Sequence, residues 1–122
     1  MTDIIFCAPD QATLVRAARQ VGWLDDAGQI ITTAPIASGG SWFYNYVGPV
    51  EQIPAVMDGE TIVTPAVMAP GLWGRLRVNG DTSSLPQIIA ACRALGVVIY
   101  ERGEDGAWID APDFVDRVGV VA

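Results

Sequence analysis

Leu72-Trp73-Gly74-Arg75-Leu76-Arg77-Val78 is the run around which the architecture is arranged. Its period is two: Leu72, Gly74, Leu76 and Val78 fall on one side, Trp73, Arg75 and Arg77 on the other. That alternation predicts a half-buried strand. Toward the C-terminus, Asn79-Gly80-Asp81 is a turn, and Ser84 with Gln87 has capping-box spacing before an apolar run. Ile88, Cys92 and Leu95 share one helical face and Gly96 ends the helix. Val97 to Tyr100 is a further strand; Trp108 and Ile109 extend a hairpin, and Pro112 opens a short helix over 112–118.

Toward the N-terminus, residues 49–71 hold Pro54, Asp58-Gly59, Pro65 and Pro70-Gly71. They predict an irregular excursion with a hairpin at Asp58-Gly59. Trp42 to Val47 is an aromatic strand broken by Gly48-Pro49, and Ser38-Gly39-Gly40-Ser41 is a glycine-rich loop before it. Gln29 to Thr33 is a short β-prone run stopped by Pro35. Asp10 is the N-cap of a helix over 10–22, with Leu14, Ala18 and Val21 on its apolar stripe and Gly22 after it. Residues 3–8 form a buried strand.

The order β-α-(β)-β-β-α-β predicts an α+β fold of the ferredoxin-like, split βαβ kind, an antiparallel sheet with both helices on one face. The strands near 4–8 and 72–78 lie centrally, with 42–48 and 97–101 at the edges. Residues 1–122 form a single domain, with the excursion at 49–71 and a C-terminal extension at 104–122. The alternative is a β-rich α+β roll in which 29–33 and 107–110 join the sheet.

Fourteen acidic and seven basic side chains give a net charge of -7, and every basic residue is Arg. With no His and no Lys, a Ser-His or Cys-His nucleophile, a Schiff base and a P-loop lysine are excluded. Cys7 and Cys92 are expected as buried, reduced thiols, and two Cys without His build no ordinary zinc site. No metal or cofactor is expected. The acidic balance disfavours nucleic acid, and the Arg residues are scattered apart from Arg16/Arg19 and Arg75/Arg77. No apolar run approaches a membrane span, and the N-terminus lacks signal-peptide features, so the reading is cytoplasmic and without membrane contact.

Three groups of residues carry candidate chemistry. Trp42, Tyr44 and Tyr46 share one face of their strand; joined to Trp73, Arg75 and Arg77 they would make an aromatic-Arg platform suited to protein contacts. Whether that face is core or open is undecided by the pattern, because Asn45 interrupts the opposite one. Ser38, Gly39, Gly40 and Ser41 would cradle an anion with backbone N–H groups, although the loop opens a strand rather than a helix. Arg75 and Arg77 would clamp a carboxylate or phosphate, or pair with nearby acids. Asp113 with Asp116 and Glu101 with Glu104 read as solvated acids rather than catalytic pairs.

Ala8-Pro9-Asp10, the run from Pro35 through Gly48, and Pro70-Gly71-Leu72-Trp73-Gly74-Arg75-Leu76-Arg77 together resemble small proteins encoded in tailed-phage and prophage genomes. The resemblance brings no activity or site; it implies a virion-assembly or accessory role. The function expected is a non-enzymatic structural or interaction domain, a homo-oligomer or the binder of a protein partner through the aromatic-Arg face. The alternatives are a small-ligand domain for anionic metabolites or an enzyme without His, and, less favoured, a single-stranded nucleic-acid binder.

Overall fold

The computed structural model describes residues 2–36, 39–115 and 118. Nine elements follow one another: β1 (Thr2–Ala8), α1 (Gln11–Gln20), β2 (Thr33–Pro35), β3 (Gly40–Ile53), β4 (Val56–Asp58), β5 (Thr61–Thr64), β6 (Val67–Gly80), α2 (Leu85–Ala94) and β7 (Val98–Glu101). The architecture is mixed α+β. Five strands form one sheet in the order β2-β3-β6-β1-β7, every neighbouring pair antiparallel, and β4-β5 form a separate two-stranded ladder.

The first helix begins where its cap chemistry places it: the Thr13 N–H donates to Asp10 Oδ1 at 2.8 Å. It ends at Gly22, whose φ of 80° lets the Trp23 N–H return to the Ala18 carbonyl at 2.7 Å. The second helix differs from expectation. Ser84 sits at its N-cap in a helical conformation with no side-chain cap bond, so the Ser84–Gln87 capping box is not made. Asp81 instead accepts from the Ser83 N–H and hydroxyl, both at 2.9 Å, and Pro86 occupies the first turn.

Two layers of core lie on the sheet. On one face, Leu14, Ala17 and Ala18 of α1 and Leu85, Ile89 and Cys92 of α2 pack over Ile4, Phe6, Tyr44, Leu76 and Ile99. On the other, Phe114, Val115 and Val118 of the C-terminal segment cover Ile5 and Trp73. Of the short helix expected over 112–118, residues 113–114 are a turn and Val115 is 3₁₀-helical, with the Val115 N–H on the Pro112 carbonyl and the Val118 N–H on the Val115 carbonyl; Asp116 and Arg117 lie outside the described residues.

The strand from 42 to 48 is not an edge. β2 lies outside it, shifted from 29–33 to Thr33–Pro35, and includes the proline expected to end it. An edge strand tolerates a residue without an N–H, which is why Pro35 fits there. Residues 107–110 form no named strand of the sheet, but they fold back beside the end of β7 as the expected hairpin. Arg102 and Trp108 form an antiparallel bridge, the Gly103 N–H donates to the Ala107 carbonyl at 2.8 Å and the Ile109 N–H to the Glu101 carbonyl at 2.9 Å.

Gly74 has a specific reason to lack a side chain. Tyr44, on the adjacent strand, lies across it, and a Cβ at Gly74 would fall 2.7 Å from Tyr44 Cζ. Gly74→Ala therefore overpacks the helix-side core and is expected to cost about 1–3 kcal/mol. An unchanged urea midpoint for this variant would mean that the Tyr44 ring does not rest there.

Candidate interaction surface

The aromatic-Arg platform does not exist as one surface. Cα partners in an antiparallel pair point to the same side of the sheet, and Trp42 faces Val78, Tyr44 faces Leu76 and Tyr46 faces Gly74. Trp42, Tyr44 and Tyr46 therefore share the helix-side face, while Trp73, Arg75 and Arg77 occupy the other. Trp23, carried in by the end of α1, closes this arrangement: its ring lies 5.2 Å from Trp42 and 5.7 Å from Tyr44. Tyr44 is core, Trp42 is partly buried and Tyr46 is exposed.

The opposite face has its own closed network. The Arg77 Nε donates to Asp3 Oδ1 at 2.9 Å and its Nη2 to Oδ2 at 3.1 Å, a bidentate pair across β6 and β1. Arg75 approaches the same carboxylate at 3.6 Å and lies 5.6 Å from the Trp108 ring centroid; Arg102 lies over that ring at 4.6 Å. Trp73 is buried, stacked on Tyr100 and edge-on to Phe114. Arg75 and Arg77 are thus engaged with this chain's own groups.

Burial alone would raise the Asp3 pKa. The Arg77 hydrogen bonds and the charges of Arg77, Arg75 and Arg102 outweigh it and hold the carboxyl below its usual range. Burial also pushes the Cys7 and Cys92 thiols up to about 11, so both are protonated and unreactive at neutral pH. Cys7 is half-buried rather than buried, with Sγ 3.5 Å from the Pro70 carbonyl.

The glycine-rich loop is committed to the β2–β3 turn. The Gly39 N–H donates to the Ile36 carbonyl, the Gly39 carbonyl accepts from Asp81, and the Gly40 carbonyl accepts from Ile36. Gly40 and Gly80 face each other so closely that a Cβ on either would strike the opposing backbone. Ser41 is exposed, and Ser38 lies outside the described residues. Asp116, the partner imagined for Asp113, does too.

The surface that stands out is the excursion. β3 and β6 continue their ladder beyond the body through Val50–Ala69, Glu51–Met68 and Ile53–Val67. Register shifts on both sides of Gly48 bend this extension at the margin of the sheet. β4 and β5 carry it on to a tight turn in which Gly59, at φ 59°, takes the first central position. Of the twelve large apolar side chains that are exposed among the described residues, seven are in this arm: Ile53, Val56, Met57, Ile62, Val63, Val67 and Met68. The arm between 49 and 71 contains Glu51, Asp58 and Glu60 and no basic residue.

The hairpin turn at Asp58-Gly59 is where the sequence predicts it, but much of the irregular path expected on either side of it is antiparallel pairing. The overlooked signal is a twin: Pro54-Ala55-Val56-Met57 and Pro65-Ala66-Val67-Met68 repeat the same four residues. Each Pro-Ala interrupts one strand at the same level of the hairpin, between the Ile53–Val67 and Val56–Thr64 pairs.

A cleft of about 590 Å³ opens at the other end of the sheet, between β2, the end of α1 and the start of α2. Trp42, Val78, Val21, Ile36, Leu85 and Ile88 form its apolar lining, and Gln20, Ser84 and Gln87 contribute polar groups. Asp81 is its single charged residue.

Among the described residues no group of three His, Cys, Asp or Glu is placed to hold a metal, and no helix is long and apolar enough to cross a membrane. No family model, curated protein or solved structure matches the chain.

The Asp3 cluster predicts an acid-sensitive stability. A carboxyl with a depressed folded-state pKa contributes fully above its unfolded value of about 4, and that contribution is lost as pH falls from there through the folded value. Asp3→Asn should cost about 3 kcal/mol at pH 7, the lower end for breaking a buried pair because Arg77 keeps water contact. Urea melts should show the gap to wild type narrowing below about pH 4; a gap that stays constant with pH contradicts the assignment.

Proposed function

We propose that this chain is a non-enzymatic assembly domain whose contact element is the projecting β-arm at residues 49–71. The observation that carries the reading is the concentration of exposed Ile, Val and Met on a hairpin that no helix or third strand covers. Exposed Ile, Val and Met on both faces of a water-facing hairpin, as the consecutive pairs Val56-Met57 and Ile62-Val63 must be, are characteristic of a protein interface. The aromatic-Arg face loses its place as the contact surface, since Trp42 and Tyr44 are spent on the core and Arg75 and Arg77 on Asp3. An anionic-metabolite site at those two Arg loses its support for the same reason.

The framework that presents the arm is, in our reading, the split βαβ arrangement with one strand added. The order β3-β6-β1-β7, the position of α1 between β1 and β3, and that of α2 between β6 and β7 support it. A role in phage assembly, inferred from the resemblance in the sequence, agrees with an arm that reaches away from its own domain.

The test is light scattering across protein concentration. Wild type should show a mass that rises above the 12.9 kDa of one chain. Ile62→Asp with Val63→Asp, two exposed sites, should weaken association by at least about tenfold while circular dichroism stays unchanged. A wild-type mass that remains that of one chain up to millimolar concentration would overturn the reading, as would a variant that associates like wild type.

A further inference from the structure

We infer that the arm of one copy seats in the cleft of a second copy, so that the chain assembles head to tail; this rests on the arm being the contact element. Arm and cleft lie at opposite ends of the same two strands. Trp42 and Val78 line the cleft, whereas the ladder leaves the body at Val50 and Ala69. From Trp42 to Ile53 the strand climbs about 36 Å at the usual rise, and the tip lies further on. Backbone pairing on either side of the break at 54–55 and 65–66 carries the hairpin away from the end of the sheet where its own cleft lies.

The chemistry of the two surfaces matches. The cleft is lined by aliphatic side chains and Trp42, and the arm presents Val56, Met57, Ile62 and Val63 near its tip. Gln20, Ser84 and Gln87 offer hydrogen bonds to the polar edges of an incoming hairpin. The one charge in the lining, Asp81, is turned onto Ser83.

Charge gives the direction of docking. The arm is purely acidic, with Asp58 and Glu60 beside its turn. Arg75 and Arg77 serve Asp3, Arg93 pairs with Glu101 at 3.4 Å, and Arg102 covers Trp108. Arg16 and Arg19 are exposed on α1 and make no ion pair among the described residues. Arg16 stands one turn before Gln20, on the same helix face as that cleft residue, and Arg19 adjoins it. An arm seated in the cleft with its tip toward α1 brings Asp58 and Glu60 to these two cations. Since the two surfaces differ, the contact is heterologous and propagates into a ring or a filament.

A charge swap tests this. Arg16→Glu with Arg19→Glu leaves an acidic arm facing an acidic α1; Asp58→Arg with Glu60→Arg leaves a basic arm facing a basic α1. Each double variant alone should associate at least about tenfold more weakly than wild type. An equimolar mixture should regain the wild-type mass, because every arm then meets an α1 of opposite charge. As a second measurement, Ile62→Cys in one copy should form a disulfide with Gln87→Cys in another under mild oxidant. A mixture as dissociated as its components, or an Arg16→Glu, Arg19→Glu variant that assembles like wild type, overturns the inference. If Ile62→Asp with Val63→Asp abolishes assembly while the charge swap fails, the arm remains the contact element and only its seat is wrong. A wild-type chain that never associates removes both.

Discussion

The pairing of β3 with β6 is the constraint on which the rest of the molecule depends. Placing Tyr44 opposite Leu76 sends Trp42, Tyr44 and Tyr46 to the helix side and Phe43 and Asn45 to the side of Arg75 and Arg77. A slip of one residue would reverse every one of these assignments. The register is held at one end by the facing Gly40 and Gly80, whose backbones approach too closely for any side chain. It is held in the middle by Tyr44 lying over Gly74. On the other face the Asp3–Arg77–Arg75 cluster ties β6 to β1, so the central strand is fixed from both sides. The same pairing, carried past the bulges at Gly48, generates the arm.

The treatment of strand edges separates the body from the arm. In the body each outer edge is blunted. Pro35 removes a donor from β2, while Arg93 donates to the Ile99 carbonyl at 3.0 Å and Ile109 to the Glu101 carbonyl at 2.9 Å along β7. In the arm, no basic side chain interrupts the apolar surface, and every residue of β4 and β5 is exposed. An edge left open on a protein that closes its others has a partner surface as its simplest physical account.

Much of the framework was legible in the sequence because it rests on local rules. Asp10 before an apolar stripe and the turn at Asp58-Gly59 act over a few residues, and the structure follows them. The alternation of Leu72 to Val78 gives the strand but not its half-burial, because Trp73 and Arg75 on the second face are buried as Leu76 is on the first. What failed was non-local. Period two assigns Trp42, Tyr44 and Tyr46 to one face and Arg75 and Arg77 to one face, but only the cross-strand register decides whether those faces coincide. Asn45 obscured that choice: a polar residue suggested an open side, yet it sits opposite Arg75, beside a face the C-terminal segment covers in part. The capping box at Ser84 is not made because Ser84 already has helical φ and ψ, whereas a capping side chain reaches the first turn from an extended residue; Asp81 supplies the local turn bonds instead, to Ser83. The extent of the arm was hidden because its four prolines read as punctuation, whereas pairing resumes as β4 and β5 beyond the breaks at Pro54-Ala55 and Pro65-Ala66.

The absence of Lys and His gives the charge distribution its meaning. With seven Arg against fourteen acids, copies of this chain repel one another, so the self-contact we propose would need a surface where that repulsion is reversed. Four of the Arg neutralise acids or cover Trp108 within the fold, and Arg117 lies outside the described residues. Arg16 and Arg19 are what remain, on the helix whose end lines the cleft. An acidic, apolar arm and a cleft approached by Arg16 and Arg19, the first of them shared with Asp10 at its own helix start, are in this proposal complementary between copies. In the proposed assembly, repulsion elsewhere on the surface would act for specificity, because it penalises approaches other than the one that brings a tip to α1.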